Sequence, residues 1–375
     1  MKKNIGIIID KDFKNDIRVS GEAKILSKKY NVFVLNCEKK NWFLKFFFFI
    51  QTTIPLYDYF WAFHIKRFIK KHNLCSIHVH DLYLAKAGFL AKGKLPLIVD
   101  LHENYPEAVL NYKWTQTTIK KFLSQPIKWS KKERTLLSYA DAIIITNEHY
   151  RIALQKKYPE LTDEKVFVYE NVPDLAAFQS YPIYDNVFEK KNNFILFYFG
   201  VIAERRGILT LIKAVEILKP KYPELRLLLI GSVDKEESRV FKPLLNKSFI
   251  THHNWIDISF LPSYINFVDV CVCPIIKNEQ HDTCFPNKIY QYALFGKPII
   301  ASNCLPQKDF IMKYNCGVIY KSEDISELSE KIEECINNPN LCNFWGENGK
   351  KSIQESCNLE SIKDRLLNLY ENYTI

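Results

Sequence analysis

Short apolar runs alternate with longer amphipathic segments along the whole sequence. The apolar runs are rich in Val, Ile, Leu and Phe, and helical spacing of apolar residues fills the intervals between them. This βαβ pattern predicts an α/β fold built from parallel, doubly wound sheets. The predicted strands are residues 4–9, 30–35, 76–80, 96–101, 142–146 and 165–169 in the first half, and 193–199, 225–230, 268–274 and 298–302 in the second.

The length of the chain indicates more than one domain. At 375 residues it exceeds what a single hydrophobic core usually supports. Residues 170–183 include two prolines and show little periodicity, which favours a linker there. We therefore predict a Rossmann-like domain over residues 1–173 and a second over 174–375, with a final amphipathic helix at 359–373.

The basic excess of the protein lies entirely in its first half. Lys and Arg number 52 against 42 Asp and Glu, for a net charge of +10. Residues 1–173 hold 29 basic and 17 acidic side chains, a net of +12, and the remainder has a net of −2. This asymmetry predicts an anionic partner for the first half: a membrane surface, a nucleic acid or an acidic substrate.

Targeting signals and cysteine usage favour a cytoplasmic protein. The apolar run behind Lys2 and Lys3 ends at Asp10, which is too short for a signal peptide. The most apolar region, residues 42–50, is far below the ~20 residues that a spanning helix needs. The 10 cysteines are scattered without a Cys-x-x-Cys pair, so we expect reduced, mostly buried thiols.

Residues 282–302 carry the most specific signal for a ligand site. Phe285 and Pro286 lead into about two helical turns that end at a glycine followed by Lys-Pro. A β-branched run then predicts a buried strand. Free N–H groups and the helix dipole favour an anion at such an N-terminus, where Asn287 and Lys288 lie.

A second anion site is indicated at residues 200–207, between a predicted strand and a predicted helix. Gly200 lets the backbone approach a ligand, and Arg205 and Arg206 can bind a diphosphate. The alternative is an exposed arginine pair at the start of a helix. The presence of Lys288 in the other stretch favours phosphate binding.

These two stretches, with the segment 100–107 in the first half, resemble motifs of the GT-B glycosyltransferases, in particular glycosyltransferase family 4 (group 1). The resemblance spans nearly the whole chain. It implies two Rossmann-like domains facing a cleft, with the final helix crossing back to the first domain. It also implies a nucleotide-diphosphate sugar as donor, transfer with retention, and no metal or other cofactor.

The donor-binding residues follow from this resemblance. In the family, an Arg and a Lys near the first glycine bind the donor phosphates. Here Arg206 matches the Lys, Val201 stands in place of the Arg, and Arg205 is a candidate substitute. The donor-binding residues predicted in this way are Gly200, Arg205, Arg206, Thr283, Asn287, Lys288 and Gln291.

The sequence departs from the family at both motif carboxylates. Thr283 occupies the position of the first Glu, near the transferring sugar, and the adjacent Asp282 either supplies a carboxylate or caps a helix. Gln291 occupies the position of the second Glu, which accepts hydrogen bonds from the ribose hydroxyls in the family. Because an amide oxygen accepts without charge, we expect ribose binding that is weakened but not lost.

In the first half, the resemblance implies a catalytic role for His102, alongside Asp282. His102 follows a predicted strand, at the edge where open α/β sheets bind ligands. The acceptor side is assigned to Arg18, Asp81 and Glu103. For the segment around Arg18, the alternative is a helix cap followed by an exposed arginine.

His78 and His80 are a possible exception to the absence of a metal. They are two residues apart on a predicted strand and therefore share one face. Two imidazoles could bind a metal, but the sequence indicates no further ligand for it. We therefore predict no metal site.

Residues 42–71 combine aromatic and basic side chains. Four consecutive phenylalanines, residues 46–49, precede a basic stretch that includes Lys66, Arg67, Lys70 and Lys71. Such a composition favours helices lying on an anionic membrane, where each basic residue near the surface contributes about 1 kcal/mol. The alternative is that the aromatic residues form domain core and the lysines its solvated edge.

The function predicted from these features is glycosyl transfer from a nucleotide sugar to a lipid-linked or cell-surface polysaccharide acceptor. The protein would be cytoplasmic and peripheral on the inner face of the membrane, with no nucleic-acid partner. Two alternatives stay open. One is a catalytically weak GT-B scaffold, indicated by Val201, Thr283 and Gln291, and the other is an α/β protein that binds nucleic acid through its basic first half.

Overall fold

The computed structural model describes residues 2–13, 16–36, 42–116, 121–122, 125–172, 174–185 and 187–374. The chain forms two compact units, Met1–Asn171 with Ile362–Ile375, and Val172–Ser361. The C-terminal segment thus returns to the first unit. The predicted linker includes position 173, which lies outside the described residues.

The first unit contains one six-stranded, fully parallel sheet. Its order is β2-β1-β3-β4-β5-β6, so the strand order reverses between β1 and β3. Every strand is short, and apart from β3, which has the sequence Ser-Ile-His-Val-His, the strands are mostly apolar, as expected when helices cover both faces of a sheet. The strands are β1 (Asn4–Ile9), β2 (Asn31–Asn36), β3 (Ser76–His80), β4 (Leu97–Leu101), β5 (Ala142–Ile145) and β6 (Val166–Val168).

The second unit contains another six-stranded parallel sheet, in the order β12-β11-β10-β7-β8-β9. Here the reversal lies between β7 and β10. The predicted fold class, two doubly wound parallel sheets, is confirmed by these topologies. The strands are β7 (Phe194–Phe199), β8 (Leu225–Ile230), β9 (Ile250–His253), β10 (Val270–Cys273), β11 (Ile299–Ser302) and β12 (Gly317–Tyr320).

Helices occupy the intervals between strands in both units. In the first unit they are Ile17–Ser27, Trp42–Ile50, Leu56–His72, Ala85–Lys92, Tyr105–Asn111, Lys113–Gln116, Pro126–Ser138, Glu148–Lys157 and, from the end of the chain, Leu359–Asn372. In the second they are Leu175–Ser180, Ile208–Leu218, Ser238–Leu245, Leu261–Phe267, Glu279–Asp282, Lys288–Leu294, Leu305–Tyr314, Ile325–Asn337 and Pro339–Glu355.

Local sequence explains where several helices begin. Asp16 accepts a hydrogen bond from the Val19 amide at 3.1 Å, and Asp324 accepts one from the Glu327 amide at 3.0 Å. An N-terminal cap of this kind stabilises a helix by about 1 kcal/mol. The cap at Asp16 is the more relevant one for the candidate site, because the helix that it begins, Ile17–Ser27, contains Arg18.

Two strands were not predicted from the sequence, β9 and β12. Both lie at an edge of the second sheet and are four residues long. β9 has the sequence Ile-Thr-His-His, and β12 begins at Gly317, where an added Cβ would lie 1.9 Å from the Ile299 carbonyl oxygen. Pairing with a neighbouring strand makes these segments extended, and their own apolar pattern is too weak to indicate it.

The aromatic segment of residues 42–71 forms two helices with different environments for their side chains. Phe48 is packed edge-on against Tyr57 and Tyr83, with ring centroids 5.4 and 5.1 Å apart. By contrast, Phe43 and Phe63 are 50% and 57% exposed. Part of the segment is therefore domain core and part is an apolar surface. In the described residues, no helix has both the length and the apolarity to cross a bilayer.

Candidate active site

In the second unit, the predicted donor residues follow the two strands at which the strand order reverses. β7 ends directly before Gly200, and β10 ends directly before Pro274. In an open α/β sheet, the connections on the two sides of such a point diverge and leave a crevice at the carboxyl ends of the strands. The topology therefore favours a ligand site at this edge of the sheet.

Glycines permit the backbone to close tightly at this edge. Gly200 has φ 135°, and a Cβ there would lie 3.0 Å from Lys288 Nζ. A Cβ on Gly231, at the end of β8, would lie 1.9 Å from the Gly200 carbonyl oxygen. Gly231 has no room for a side chain, and the positive φ of Gly200 disfavours one there, so the backbone of these two turns packs closely; the Gly200 amide itself donates to the Ile230 carbonyl at 2.8 Å.

Lys288 provides the most unusual charge in the second unit. Its Nζ lies 3.8 Å from the centre of the Tyr198 ring, and it makes no hydrogen bond or ion pair with any described residue. Burial, with smaller contributions from Arg206 and Arg205 and against the opposing effect of Cys273, lowers the pKa of Lys288 to about 7. Uncompensated positive charge is thus concentrated beside Gly200.

The two arginines occupy a single turn, Glu204–Arg206, just before the helix Ile208–Leu218. Arg205 Nη2 lies 3.6 Å from Asp234 Oδ2, so its charge is partly compensated. Arg206 is half-buried and makes no ion pair within the described part of the chain. Of the predicted phosphate ligands, Arg206 and Lys288 therefore offer the least compensated charge.

The polar residues of the motif stretch differ in how far they are already engaged. Asn287 Oδ1 is buried and has no hydrogen-bond partner among the described residues, and Gln291 is only 5% exposed. Thr283 is buried, and its hydroxyl donates to the carbonyls of Glu279 and Gln280 at 2.9 and 3.0 Å. Asn287 thus has an acceptor available, whereas the Thr283 hydroxyl stabilises a helix end.

The Asp282 carboxylate is also engaged by neighbouring groups. It accepts a hydrogen bond from Lys277 Nζ at 2.7 Å and another from the Leu305 amide at 2.9 Å. Leu305 begins the helix Leu305–Tyr314, so Asp282 acts as a cap for that helix. The Asp282 carboxylate therefore already accepts two hydrogen bonds, both under the interpretation as a helix cap and under the interpretation as a catalytic carboxylate.

Sequence reasoning missed His281, although it directly precedes the motif. This side chain is 2% exposed, and its Nδ1 donates to the Ile276 carbonyl at 2.6 Å. Burial, reinforced by Arg206, lowers the pKa of His281 to about 4, so the imidazole is neutral near pH 7. Nε2 is buried without a described partner. The residue type was the only available signal, since nothing in its spacing points to the arginines.

In the first unit, the reversal point between β1 and β3 is acidic. Asp10 and Asp81 directly follow the two strands. Asp10 accepts from the Tyr57 and Tyr83 hydroxyls at 2.6 and 2.8 Å, and Asp81 accepts from Tyr83 at 2.7 Å and from Lys11 at 3.1 Å. Burial opposes ionisation of Asp81, but Lys11, His102 and the Tyr83 hydroxyl together outweigh it and lower the pKa to about 2.

His102 lies close to this acidic edge, after β4. Its Nε2 is 2.8 Å from His80 Nδ1, so these two rings share a hydrogen bond. The Glu103 carboxylate accepts from the Tyr112 hydroxyl, with both oxygens at 3.0 Å. His102 and Glu103 are half-buried, whereas His80 is fully buried.

Arg18 is buried within the first unit. Its guanidinium donates to both Asp100 oxygens, at 3.0 and 3.1 Å, and to the Tyr169 carbonyl at 3.0 Å. Glu22, one helical turn later, lies 3.1 Å from Arg18 Nε. With 6% exposure, Arg18 acts on its surroundings through Asp100 and Glu22.

Comparison with known proteins shows what this architecture resembles. The family model described as "Glycosyl transferases group 1" matches residues 183–352, nearly the whole second unit. A sucrose-phosphate synthase from Thermosynechococcus elongatus superposes with a TM-score of 0.74 and 16% identity, over 99% of both chains. The chain has the GT-B fold and resembles the group 1 glycosyltransferases.

Two further comparisons support this placement. The GT-B protein HepE from Anabaena, solved with UDP and glucose, has a TM-score of 0.70 and 14% identity over 99% of this chain and 100% of its own. In sequence, the capsular polysaccharide biosynthesis glycosyltransferase CapM from Staphylococcus aureus is 27% identical over 206 residues. That match spans 52% of each chain, about half the length of the relative.

Proposed function

We propose that this protein transfers a sugar from a nucleoside-diphosphate donor to a hydroxyl group of a glycan acceptor, with retention at the anomeric carbon. The bond between the anomeric carbon and the diphosphate oxygen breaks, and a bond to the acceptor oxygen forms. The acceptor proton passes to the leaving diphosphate. Negative charge therefore grows on the diphosphate, and the donor site has to stabilise it more strongly in the transition state than before.

The observation that carries this proposal is the uncompensated positive charge of Lys288 and Arg206. Both lie at the reversal point of the second sheet, near Gly200, whose positive φ disfavours a side chain. A diphosphate placed there would supply the missing counter-charge. In support, the structurally similar HepE was solved with UDP and glucose. Because fixed cations can neutralise the leaving group, we propose that transfer needs no metal ion.

The remaining donor residues divide into those that bind the nucleotide and those that approach the sugar. We propose that Asn287, through its unpartnered Oδ1, and Gln291, through its amide, contact the nucleoside portion. Arg205 assists Arg206 while remaining near Asp234. Thr283 shapes the pocket wall through the helix end it stabilises.

On the sugar side, we propose His102 and Asp282 as catalytic residues. The contact with His80 holds the His102 Nε2, which leaves Nδ1 to meet a sugar or acceptor hydroxyl. Asp282 is the carboxylate next to the family position, and its bond to Lys277 would have to loosen for it to reach the sugar. Glu103 and Asp81 would accept hydrogen bonds from acceptor hydroxyls, and Arg18 positions Asp100 behind them.

We propose further that the acceptor is lipid-linked and met at an anionic membrane. The helix Leu56–His72 presents an outward row at helical spacing, with Leu56, Tyr59 and Phe63 followed by Arg67 and Lys70. The row is apolar at one end and basic at the other, as an interfacial helix requires. The capsular-polysaccharide function named for CapM agrees with such an acceptor.

Calorimetric titration tests the donor site. Arg206→Ala and Lys288→Ala should each weaken the binding of a nucleoside diphosphate, screened first among UDP, GDP and ADP. Arg239→Ala and Lys313→Ala, which remove exposed cations of the same unit, serve as matched controls. Unchanged affinity in both site variants would exclude this donor site. The anomeric configuration of the product, determined by NMR, tests retention.

Vesicle flotation tests the membrane contact. Binding should increase with phosphatidylserine content and fall when Tyr59 and Phe63 of the exposed row are changed to Ser. Val240→Ser, an exposed apolar residue of the second unit, is the control. Binding to nucleic acid that is tighter than to vesicles, with a steep salt dependence, would instead support the nucleic-acid alternative.

A specific observation also favours a second candidate, a GT-B scaffold with weak catalysis. Thr283 has no carboxylate, and the Asp282 carboxylate accepts a hydrogen bond at a helix start. Neither residue therefore offers a free carboxylate at the position of the first Glu of the family motif. This candidate predicts normal nucleotide affinity without transfer or hydrolysis of any sugar nucleotide. Turnover that is lost in Asp282→Asn and kept in Glu279→Gln would reject it.

A further inference from the structure

A cluster of buried polar side chains in the first unit is not explained by the proposed transfer reaction. Glu22 comes from the helix Ile17–Ser27, His78 and His80 from β3, and Asp100 from β4. All are 0% exposed. Strand alternation places the two imidazoles on one face, and strand pairing sets Asp100 beside His80.

Several atoms of this cluster lack the partners that buried polar atoms normally have. Both Glu22 carboxylate oxygens, His78 Nε2 and His80 Nε2 are buried with no hydrogen bond to the described residues. Arg18 Nε lies 3.1 Å from Glu22 Oε1, but outside hydrogen-bond geometry. Each unsatisfied buried polar group costs about 1–3 kcal/mol. A single bound group in contact with all of these atoms would remove that cost.

The separations suit a metal ion. His78 Nε2 is 3.7 Å from Asp100 Oδ2, and His80 Nε2 is 3.7 Å from Glu22 Oε2. One ligand atom from each of the four residues lies within 4.8 Å of the others. In a tetrahedral site with bonds of about 2.0–2.2 Å, ligand atoms are roughly 3.3–3.6 Å apart. The two 3.7 Å separations are close to this value, and the longest ones, up to 4.8 Å, would have to shorten on binding.

The other faces of these side chains are arranged as metal ligands require. His78 Nδ1 lies 2.7 Å from the Tyr370 hydroxyl, and His80 Nδ1 lies 2.8 Å from His102 Nε2. Both rings therefore have their Nδ1 held by a neighbour and their Nε2 directed inward. Arg18 holds the Asp100 carboxylate from outside. Such outer contacts fix the tautomer and orientation of ligating imidazoles.

We propose that Glu22, His78, His80 and Asp100 bind a divalent transition-metal cation of the Zn²⁺ class. Two imidazole nitrogens and two carboxylate oxygens are a donor set that Zn²⁺ accepts, and four protein ligands leave no open position for chemistry. With both carboxylates ionised and Arg18 charged, the cluster carries a net charge of −1. A proton on Glu22 would cancel that charge and give a Glu22–Asp100 hydrogen bond, but it would leave His78 Nε2 and His80 Nε2 without partners, whereas a metal ion would engage all four residues.

This ion would be structural. It would link the first helix, β3 and β4, and, through Tyr370, the C-terminal helix Leu359–Asn372. Through His80 it would also hold the orientation of His102. The proposal does not depend on the donor site, because metal content and stability can be measured without any turnover.

Metal analysis of the full chain tests the proposal. The protein, carrying no polyhistidine tag, is stripped with a chelator, incubated with Zn²⁺, desalted and measured by inductively coupled plasma mass spectrometry. We expect about one equivalent per chain, and a rise in Tm of roughly 5 °C or more at a hundredfold excess of Zn²⁺ over Kd. Co²⁺ in place of Zn²⁺ should give the intense visible absorption of a tetrahedral site.

The variant Glu22→Gln separates a metal from a buried proton. Gln has the shape of a protonated Glu but is a poor metal ligand. The amount of bound Zn²⁺ should therefore fall at least tenfold, and the Tm shift at least fivefold. His64→Asn, on an exposed histidine outside the cluster, should change neither. Native protein without bound metal, unaffected by Zn²⁺ and as stable as Glu22→Gln, would overturn the proposal and indicate a protonated Glu22.

Discussion

The reversal points of the two sheets have the same topology and opposite charge. In the first unit, Asp10 and Asp81 follow β1 and β3, and each accepts hydrogen bonds from tyrosine hydroxyls. In the second, Arg206 and Lys288 lie beside β7 and β10 with no ion-pair partner in the described residues. The topology determines where each unit can bind a ligand, and the residues after the strands determine its charge.

This difference runs against the overall charge of the chain. The half with a net charge of +12 has the acidic edge, and the half with a net charge of −2 has the basic one. Net charge is a sum over exposed side chains, whereas a binding edge depends on a few groups removed from water, where interactions are stronger. The charge count therefore indicates a surface partner of the first half and says nothing of either ligand site.

The largest expected effect comes from removing the basic side of this comparison. Lys288→Ala should lower kcat by about 10²- to 10³-fold, since a fixed cation opposite the leaving group is lost. The measurement is steady-state transfer at saturating donor, with Lys288→Arg as the variant that keeps the charge. Activity within threefold of the native value would show that Lys288 does not stabilise the diphosphate.

The acidic side is tested through Asp81. Its pKa is lowered from 3.8 to about 2, so its ionised form stabilises the fold above pH 3.8, and this contribution is lost as the pH falls toward 2. Asp81→Asn should cost about 2 kcal/mol of unfolding free energy at pH 7 and far less at pH 2. Urea unfolding at the two pH values measures this, and equal losses at both would contradict the assignment.

Donor affinity should depend on pH through Lys288. The free lysine, with a pKa of about 7, loses its proton above that pH, and the bound diphosphate requires the charged form. Affinity for an intact sugar nucleotide should fall up to about tenfold per pH unit between pH 7 and 9. Lys288→Arg stays charged throughout and should give a flat profile. A flat profile in the native protein would mean that Lys288 is not a phosphate ligand.

The smallest expected effect concerns Gln291. If this amide accepts a hydrogen bond from ribose, Gln291→Glu should tighten nucleotide binding several-fold, because a charged acceptor is about twice as strong. A 2′-deoxynucleotide should gain less than its ribose counterpart. Equal gains, or no gain with either, would place Gln291 away from the ribose.

Strand prediction was most accurate for strands buried in the middle of a sheet. β1, β3 and β8 were predicted with the bounds they have in the structure. β1 and β8 are largely apolar, and β3 alternates Ile and Val with polar residues, and both patterns indicate a short strand. The edge strands β9 and β12 were missed. Their extended form depends on a neighbour in the sheet, which local sequence does not specify.

The donor motif shows a similar division within the candidate site. Lys288 and Arg206 were identified from the sequence because glycines and helix starts mark phosphate sites by local rules. The engagement of Asp282 with Lys277 and Leu305, and the burial of Arg18, were not. Apart from Lys277, which is five residues from Asp282, the partners are distant in the chain, and the apolar pattern of the sequence does not predict these contacts.

By itself, the sequence determined two parallel sheets with helices between their strands, since apolar periodicity decides which faces are buried. It also determined a cationic pair next to glycines, because backbone freedom and charge are local properties. The opposite charge of the two reversal points, the contacts that hold Asp282, and the convergence of Glu22 and Asp100 on His78 and His80 were decided only by the tertiary structure. Each depends on strand order and register, which place residues far apart in the chain at one edge of a sheet.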